Sequence, residues 1–201
     1  MDERTANNQN TNVNSNTKDP HKEAMNQIAK KITRKGAAEM FKWIGKTDFF
    51  TAPYDIDRYG KPIGSLADYT IKYYKKIRML YADYLRDFGM KLQEKPELEE
   101  QVAFLAVAHS LERCNLFEKR HSKSGSEYFV RNDSIPLGKG VKSLYLAMSF
   151  VDVTPEEALA LRYAYDDLNL VSDGEYQAAK QNNPLVRIAI AAAVLPSLNE
   201  G

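Results

Sequence analysis

At 201 residues, with 28 Lys and Arg against 27 Asp and Glu, the chain is long enough for one domain with a sizeable core and carries almost no net charge. That balance gives no bulk electrostatic basis for binding nucleic acid or a membrane, and the single cysteine, Cys114, excludes an intramolecular disulfide. No apolar run approaches the roughly 20 residues that span a bilayer, and the polar, acidic stretch after Met1 lacks the apolar core of a secretion signal. A protein of a reducing cytoplasm is expected.

Residues 1–21 are Asn-rich between Asn7 and Asn16 and almost free of apolar side chains. They are read as a disordered tail, because they cannot bury enough surface to offset the entropy of ordering. His21 at its end is assigned no role. Residues 22–201 are read as a single domain.

In residues 22–47, Met25, Ile28, Ile32, Met40, Phe41 and Ile44 predict helix, interrupted at Gly36. Phe49 and Phe50 are expected to plug the core, followed by a Gly- and Pro-rich loop through Gly64. A long helix over residues 64–92 is predicted to turn Leu66, Tyr69, Tyr73, Ile77, Leu80, Tyr84 and Phe88 inward. Lys72, Lys75, Lys76 and Arg78 form its solvated face.

Pro96 suits the first turn of the next helix, where Glu97, Glu99 and Glu100 complement the dipole. Leu98, Val102, Leu105 and His109 recur on one face of it at spacings of four, three and four, which carries His109 and Ser110 into the interior. Residues 117–121 and 127–130 flank a Ser- and Gly-containing turn and predict a short β-hairpin. Residues 135–143 are read as a glycine-rich turn leading into a helix over residues 144–150. Thr154-Pro155-Glu156-Glu157 is a capping box with Pro at the first helical position. Ser172 and Glu175 open a short helix, and Pro184 opens a last one with Leu185, Ile188, Ala189 and Ala192 facing inward. The expected fold is all-α, a helical bundle with one small hairpin.

Familiar chemical motifs fail on spacing. A Walker A loop needs Gly directly before Lys, and Val141 separates Gly140 from Lys142. A helix N-terminus there, with Lys139 or Lys142, retains the capacity to hold an anion, against the plainer reading of a loop-to-helix cap. Cys114 lies in an apolar helix end, the usual setting of a structural thiol. Three histidines, His21, His109 and His121, are too few and badly placed for zinc. The acid pairs Asp166-Asp167 and Glu156-Glu157 are explained by helix ends and solvation.

The order of several strings is informative. Thr47-Asp48-Phe49-Phe50-Thr51-Ala52-Pro53, then Gly64 to Thr70, then His109 followed by Leu111, Arg113 and Asn115, then Gly138 to Ser143 and Arg162 follow one another along the chain. Over residues 40–196 this resembles a family of small HD-domain phosphohydrolases of Gram-positive bacteria and their phages. The resemblance implies an HD-like helical bundle and provides positions at which metal ligands are expected. At those positions this chain has Tyr69, His109, Ser110 in place of the aspartate, Lys139, Ala164, Ile190 and Ala193. Only His109 remains of the ligand set, as a vestige, while Arg113, Asn115, Lys142, Ser143 and Arg162 keep the framework polar positions.

One imidazole cannot hold a divalent ion, and Lys139 would repel it. The resemblance therefore implies a pseudoenzyme with no cofactor, no metal and no catalytic residue. Its expected partner is a protein, such as a host defence or replication protein if the chain is phage-encoded. The alternative is a nucleotide or other anion in the former cleft, held by His109, Ser110, Arg113, Lys139, Lys142 and Arg162. Residual phosphoester hydrolysis, with His109 as base and Asp68 or Asp166 as substitute ligands, is the third reading.

Overall fold

The computed structural model describes residues 20–122, 125–132, 135–165 and 173–194. Nearly all of the predicted tail, residues 1–19, lies outside them, as do Asp133, Asp166, Asp167 and Ser172. Helix α1 (Pro20–Ala29) begins within the last residues assigned to that tail, and α2 (Ala37–Ile44) follows Gly36. Gly36 adopts φ 89°, and a Cβ there would collide with the Phe150 carbonyl. Only glycine combines that conformation with so close an approach.

The segment read as a loop through Gly64 contains a second hairpin. Strands β1 (Pro53–Ile56) and β2 (Pro62–Ser65) pair antiparallel, with Asp55 opposite Ile63. The Asp57 carboxylate organises the turn by accepting the N–H groups of Tyr59 and Lys61, both at 2.8 Å. Four-residue strands bounded by proline carry too little alternation to announce themselves.

Helix α3 (Leu66–Arg86) is shorter than expected, and the chain leaves it through Gly89 at φ 68°. Its buried stripe ends on Ile77, Tyr81 and Leu85 rather than on Leu80, Tyr84 and Phe88. From Tyr69 to Leu85 the buried positions keep a spacing of four, so the stripe stays one residue past the predicted Leu80 and Tyr84, which are only partly buried at its edge. Phe88 lies beyond the helix and is exposed.

Helix α4 (Pro96–His109) is the centre of the molecule. From Val102 to His109 every side chain is buried, and the helix packs against α3, α5 and α6. A helix apolar on all sides belongs in the middle of a bundle. It ends in a 3-10 turn, Leu111–Arg113, which leads to the predicted hairpin, β3 (Phe117–Ser122) with β4 (Gly125–Val130).

Helix α5 (Lys139–Met148) starts five residues earlier than expected, so Gly140, Lys142 and Ser143 lie inside the helix and not in a turn before it. Gly140 is required by packing, because a Cβ would strike the carbonyl oxygens of Leu161 and Arg162. Helix α6 (Pro155–Tyr163) has the expected capping box at Thr154 and Glu157. Helix α7 (Gly174–Asn182) is capped by the Asp173 carboxylate, which accepts the N–H groups of Glu175 and Tyr176, and α8 (Pro184–Val194) buries Leu185, Ile188, Ala189 and Ala192.

The described chain is therefore mostly helical with two small two-stranded sheets. No helix among the described residues is long and apolar enough to cross a membrane.

Candidate functional site

The end of α4 places His109 and Ser110 in the interior, each 1% exposed. His109 is the last residue of the helix, so its carbonyl has no partner further along α4. Two side chains supply one: the Ser143 hydroxyl of α5 donates to it at 3.0 Å and the Tyr165 hydroxyl at 2.5 Å. The α4 terminus is thereby tied to α5 and to the segment following α6.

The His109 imidazole is surrounded by tyrosine rings. Tyr165 stacks on it with centroids 4.3 Å apart and planes 14° from parallel, Tyr73 of α3 lies at 4.4 Å, and Tyr69 at 6.0 Å. Tyr54 of β1 stacks on Tyr69 at 3.7 Å, with the Arg113 guanidinium 4.3 Å from the Tyr54 ring centroid. Among the described residues neither ring nitrogen of His109 has a hydrogen-bond partner. Burial first, and then the charges of Arg113 and Lys139, push the imidazole down to about 3, so it is neutral at physiological pH. Burial likewise drives the Tyr165 phenol well above its usual range, with the Glu112 charge adding to the shift.

Ser110, at the position where the resemblance expects aspartate, makes a 2.6 Å contact with the Thr70 hydroxyl. Thr70 gives its own proton to the Leu66 carbonyl at 2.9 Å, so Ser110 is the donor and the pair fastens α4 to α3.

Glu112 is buried beside Arg113, whose Nε lies 3.1 Å from Glu112 Oε1 in an ionic contact without hydrogen-bond alignment. The Tyr165 hydroxyl is 3.4 Å from the same oxygen. Burial raises the Glu112 carboxyl above its ordinary value, against the opposing charges of Arg113, Lys139 and Lys142. Arg113 also donates to the Tyr54 carbonyl at 2.5 Å and approaches Asp55 at 3.7 Å. Its guanidinium is thus engaged with protein groups on several sides.

The six residues expected in one cleft have different surroundings. His109, Ser110 and Arg113 meet at the end of α4, and the charge of exposed Lys139 reaches His109 and Glu112. Lys142 is buried and lines a separate cavity with Cys114 and Trp43. The exposed side chain of Arg162 lies 3.3 Å from Glu175 of α7, with its guanidinium 5.0 Å from the Tyr163 ring centroid.

Comparison with family models, with curated proteins and with solved structures returns no match.

The donor set must therefore be judged by its chemistry. A divalent ion requires several oxygen or imidazole donors that converge. Among the described residues no group of three or more His, Cys, Asp and Glu side chains could hold one. Glu112, the nearby acid, is committed to Arg113 and Tyr165. The described residues do not fit a metal.

Glu112 and Tyr165 were not singled out as site residues in the sequence. An acid inside the apolar stretch 105–117 is the signal that could have found Glu112. Nothing local marks Tyr165, which is 56 residues from His109.

Proposed function

We propose that this chain is a catalytically inactive, HD-like helical protein that works by binding a protein partner. The observation that carries this reading is the tyrosine packing around His109. Where the family resemblance expects converging metal donors, Tyr69, Tyr73 and Tyr165 lie against an imidazole held neutral by burial. The closeness of Tyr69 to His109 supports the resemblance, since both stand at its expected ligand positions. A ring so enclosed has no route to act as a general base towards a substrate.

The binding surface in this reading is the outer face of α5. Val141, Tyr145 and Met148 recur there at spacings of four and three, are all exposed, and are preceded by exposed Leu137. Helix α5 contains no acidic residue, and Lys139 is exposed at its start. The matching partner is an apolar helix bordered by carboxylates.

Two measurements test the proposal. Metal analysis, and nucleotide hydrolysis with added manganese, should show neither stoichiometric metal nor turnover; metal and activity lost together in His109→Ala would overturn the catalytic part. Affinity capture from bacterial host cells should retain one protein with the wild type and lose it with Tyr145→Asp and Met148→Asp. Undiminished capture by both variants would remove α5 from the interface. Self-association that these variants abolish would make the occupant a second copy, and the partner reading would fall.

A further inference from the structure

The near balance of charge over the whole chain hides a local excess of cations where the two hairpins meet. The β1–β2 turn lies against β4: the Tyr128 N–H donates to the Gly60 carbonyl at 2.8 Å, and a Cβ on Gly60 would strike the Tyr128 carbonyl. On the other side of Tyr128, Lys119 of β3 is its cross-strand partner. Gly60, Tyr128 and Lys119 thus follow one another as residues of neighbouring strands do, and two strand spacings set Gly60 and Lys119 about 10 Å apart. Arg58, Tyr59 and Lys61 stand beside Gly60 in the turn.

The carboxylates of the two hairpins are already engaged. Asp55 approaches Arg113 at 3.7 Å, Glu118 meets Arg120 at 3.3 Å, and Glu127 has contacts of its own. Asp57 is turned into its own loop, where it accepts the N–H groups of Tyr59 and Lys61. Among the described residues Arg58, Lys61 and Lys119 join no ion pair, and all three are exposed. Two of them lie against rings instead: the Arg58 guanidinium is 4.6 Å from the Tyr59 centroid, and the Lys119 ammonium is 6.0 Å from that of Tyr128. Tyr59 is 64% exposed, so its ring is open to a partner.

Cations spread over about 10 Å suit a row of phosphates rather than a single one, since stacked nucleotides repeat every 3.4 Å or so along a strand. Rings set among those cations suit a partner that presents planar faces together with its charge. An acidic peptide lacks the faces, and a duplex keeps its bases stacked inside. A single strand presents both. We propose that the joined hairpins bind single-stranded nucleic acid, its phosphates on Arg58, Lys61 and Lys119 and its bases against Tyr59 and Tyr128. The surface includes neither the His109 cluster nor the face of α5, so the proposal does not rest on the reading above.

Fluorescence anisotropy of labelled oligo(dT) of about 12 nucleotides tests it with the full chain, beside a duplex of the same length and polyglutamate. The expected result is saturable binding of the single strand, tighter than the duplex, with no competition from polyglutamate. Three phosphate contacts give a slope of about −2 for log affinity against log salt. Arg58→Gln, Lys61→Gln and Lys119→Gln should each weaken binding about threefold or more and make that slope shallower by about 0.7. Tyr59→Ala should weaken it about tenfold and leave the slope unchanged, because stacking releases no counterions. All four side chains are exposed, so the variants should fold. Lys75→Gln, an exposed cation of α3, is the control and should bind as the wild type does. Absence of binding, equal affinity for the duplex, or a loss in Lys75→Gln as large as in the hairpin variants would overturn the assignment. Competition by polyglutamate would also overturn it, in favour of an acidic protein.

Discussion

Tyr165 and His109 meet twice, by a hydrogen bond from the phenol to the His109 carbonyl at 2.5 Å and by ring stacking at 4.3 Å. The first contact closes the end of α4, and the second covers the imidazole. One residue from the end of α6 thus both completes the central helix and shuts the position where the family resemblance expects an open site.

A pH dependence follows from that enclosure. His109 has its pKa held at about 3 in the fold, whereas an unfolded histidine titrates near about 6.5. The unfolded state binds the extra proton between these values, so the contribution is fully present above about pH 6.5 and is lost as pH falls towards 3. The slope is at most about 1.4 kcal/mol per pH unit. Glu112, raised by burial, takes up its proton earlier in the folded state and works in the opposite sense.

Comparison with His109→Phe isolates the imidazole. Between about pH 6.5 and pH 5 the wild type should lose about 2 kcal/mol that the variant retains, as read by urea unfolding. Above that range the variant should be at least as stable, since phenylalanine leaves no ring nitrogen unsatisfied. Equal pH slopes would show that the imidazole is not held neutral.

The two glycines at the start of α5 differ in what packs against them. Gly140→Ala should cost about 3 kcal/mol or more, because the added Cβ strikes the backbone of α6. Gly138 has ordinary φ of −57° and open space around it, so Gly138→Ala should be neutral or stabilise by up to about 1 kcal/mol. Thermal melts of the two variants decide the matter. Similar melting temperatures would mean that α5 and α6 do not approach closely at Gly140.

How much was legible follows the range of each interaction. The α4 face ending in His109, the capping box at Thr154 and the β3–β4 hairpin rest on patterns within a few residues, and the structure contains all three. The β1–β2 hairpin was missed because Asp57 and two prolines define it rather than alternation. Glycines at 138 and 140 suggest a turn by local pattern, whereas Gly140 admits the close approach of α6. The residues around His109 come from α3, β1 and the segment following α6, and no local pattern encodes that they meet. The cavity beside Trp43 draws on four separate segments for the same reason.

A second buried network is structural. Arg34 donates to both oxygens of Glu157, at 2.9 and 2.8 Å, while its own N–H donates to Glu100 at 2.7 Å. Glu157 is 1% exposed and also receives the Thr154 N–H at 3.0 Å. Arg34→Met should cost about 3–5 kcal/mol by urea unfolding, since it leaves a buried carboxylate without its counter-ion. Removing both charges in Arg34→Met with Glu157→Met should recover part of that loss. A double variant less stable than the single one by the full additive amount would show that the pair is not coupled.

Cys114 provides a final check on the region between the His109 cluster and the Trp43 cavity. Burial raises its thiol to about 12, with smaller contributions from the surrounding side chains, although the residue also contributes to the cavity wall. An ordinary thiol titrates near about 8.5, so at about pH 8 the thiolate in the folded protein is scarcer by roughly three orders of magnitude. Alkylation by iodoacetamide should be slowed accordingly relative to the same chain in urea. Because the cavity offers a path to the sulfur, scarcity of thiolate rather than access should set the rate. The rate should then rise about tenfold per pH unit through about pH 10 without levelling. A plateau near pH 9, or a folded rate within tenfold of the unfolded one, would show that the thiol is solvated and that α4 does not end as tightly as His109, Ser143 and Tyr165 require.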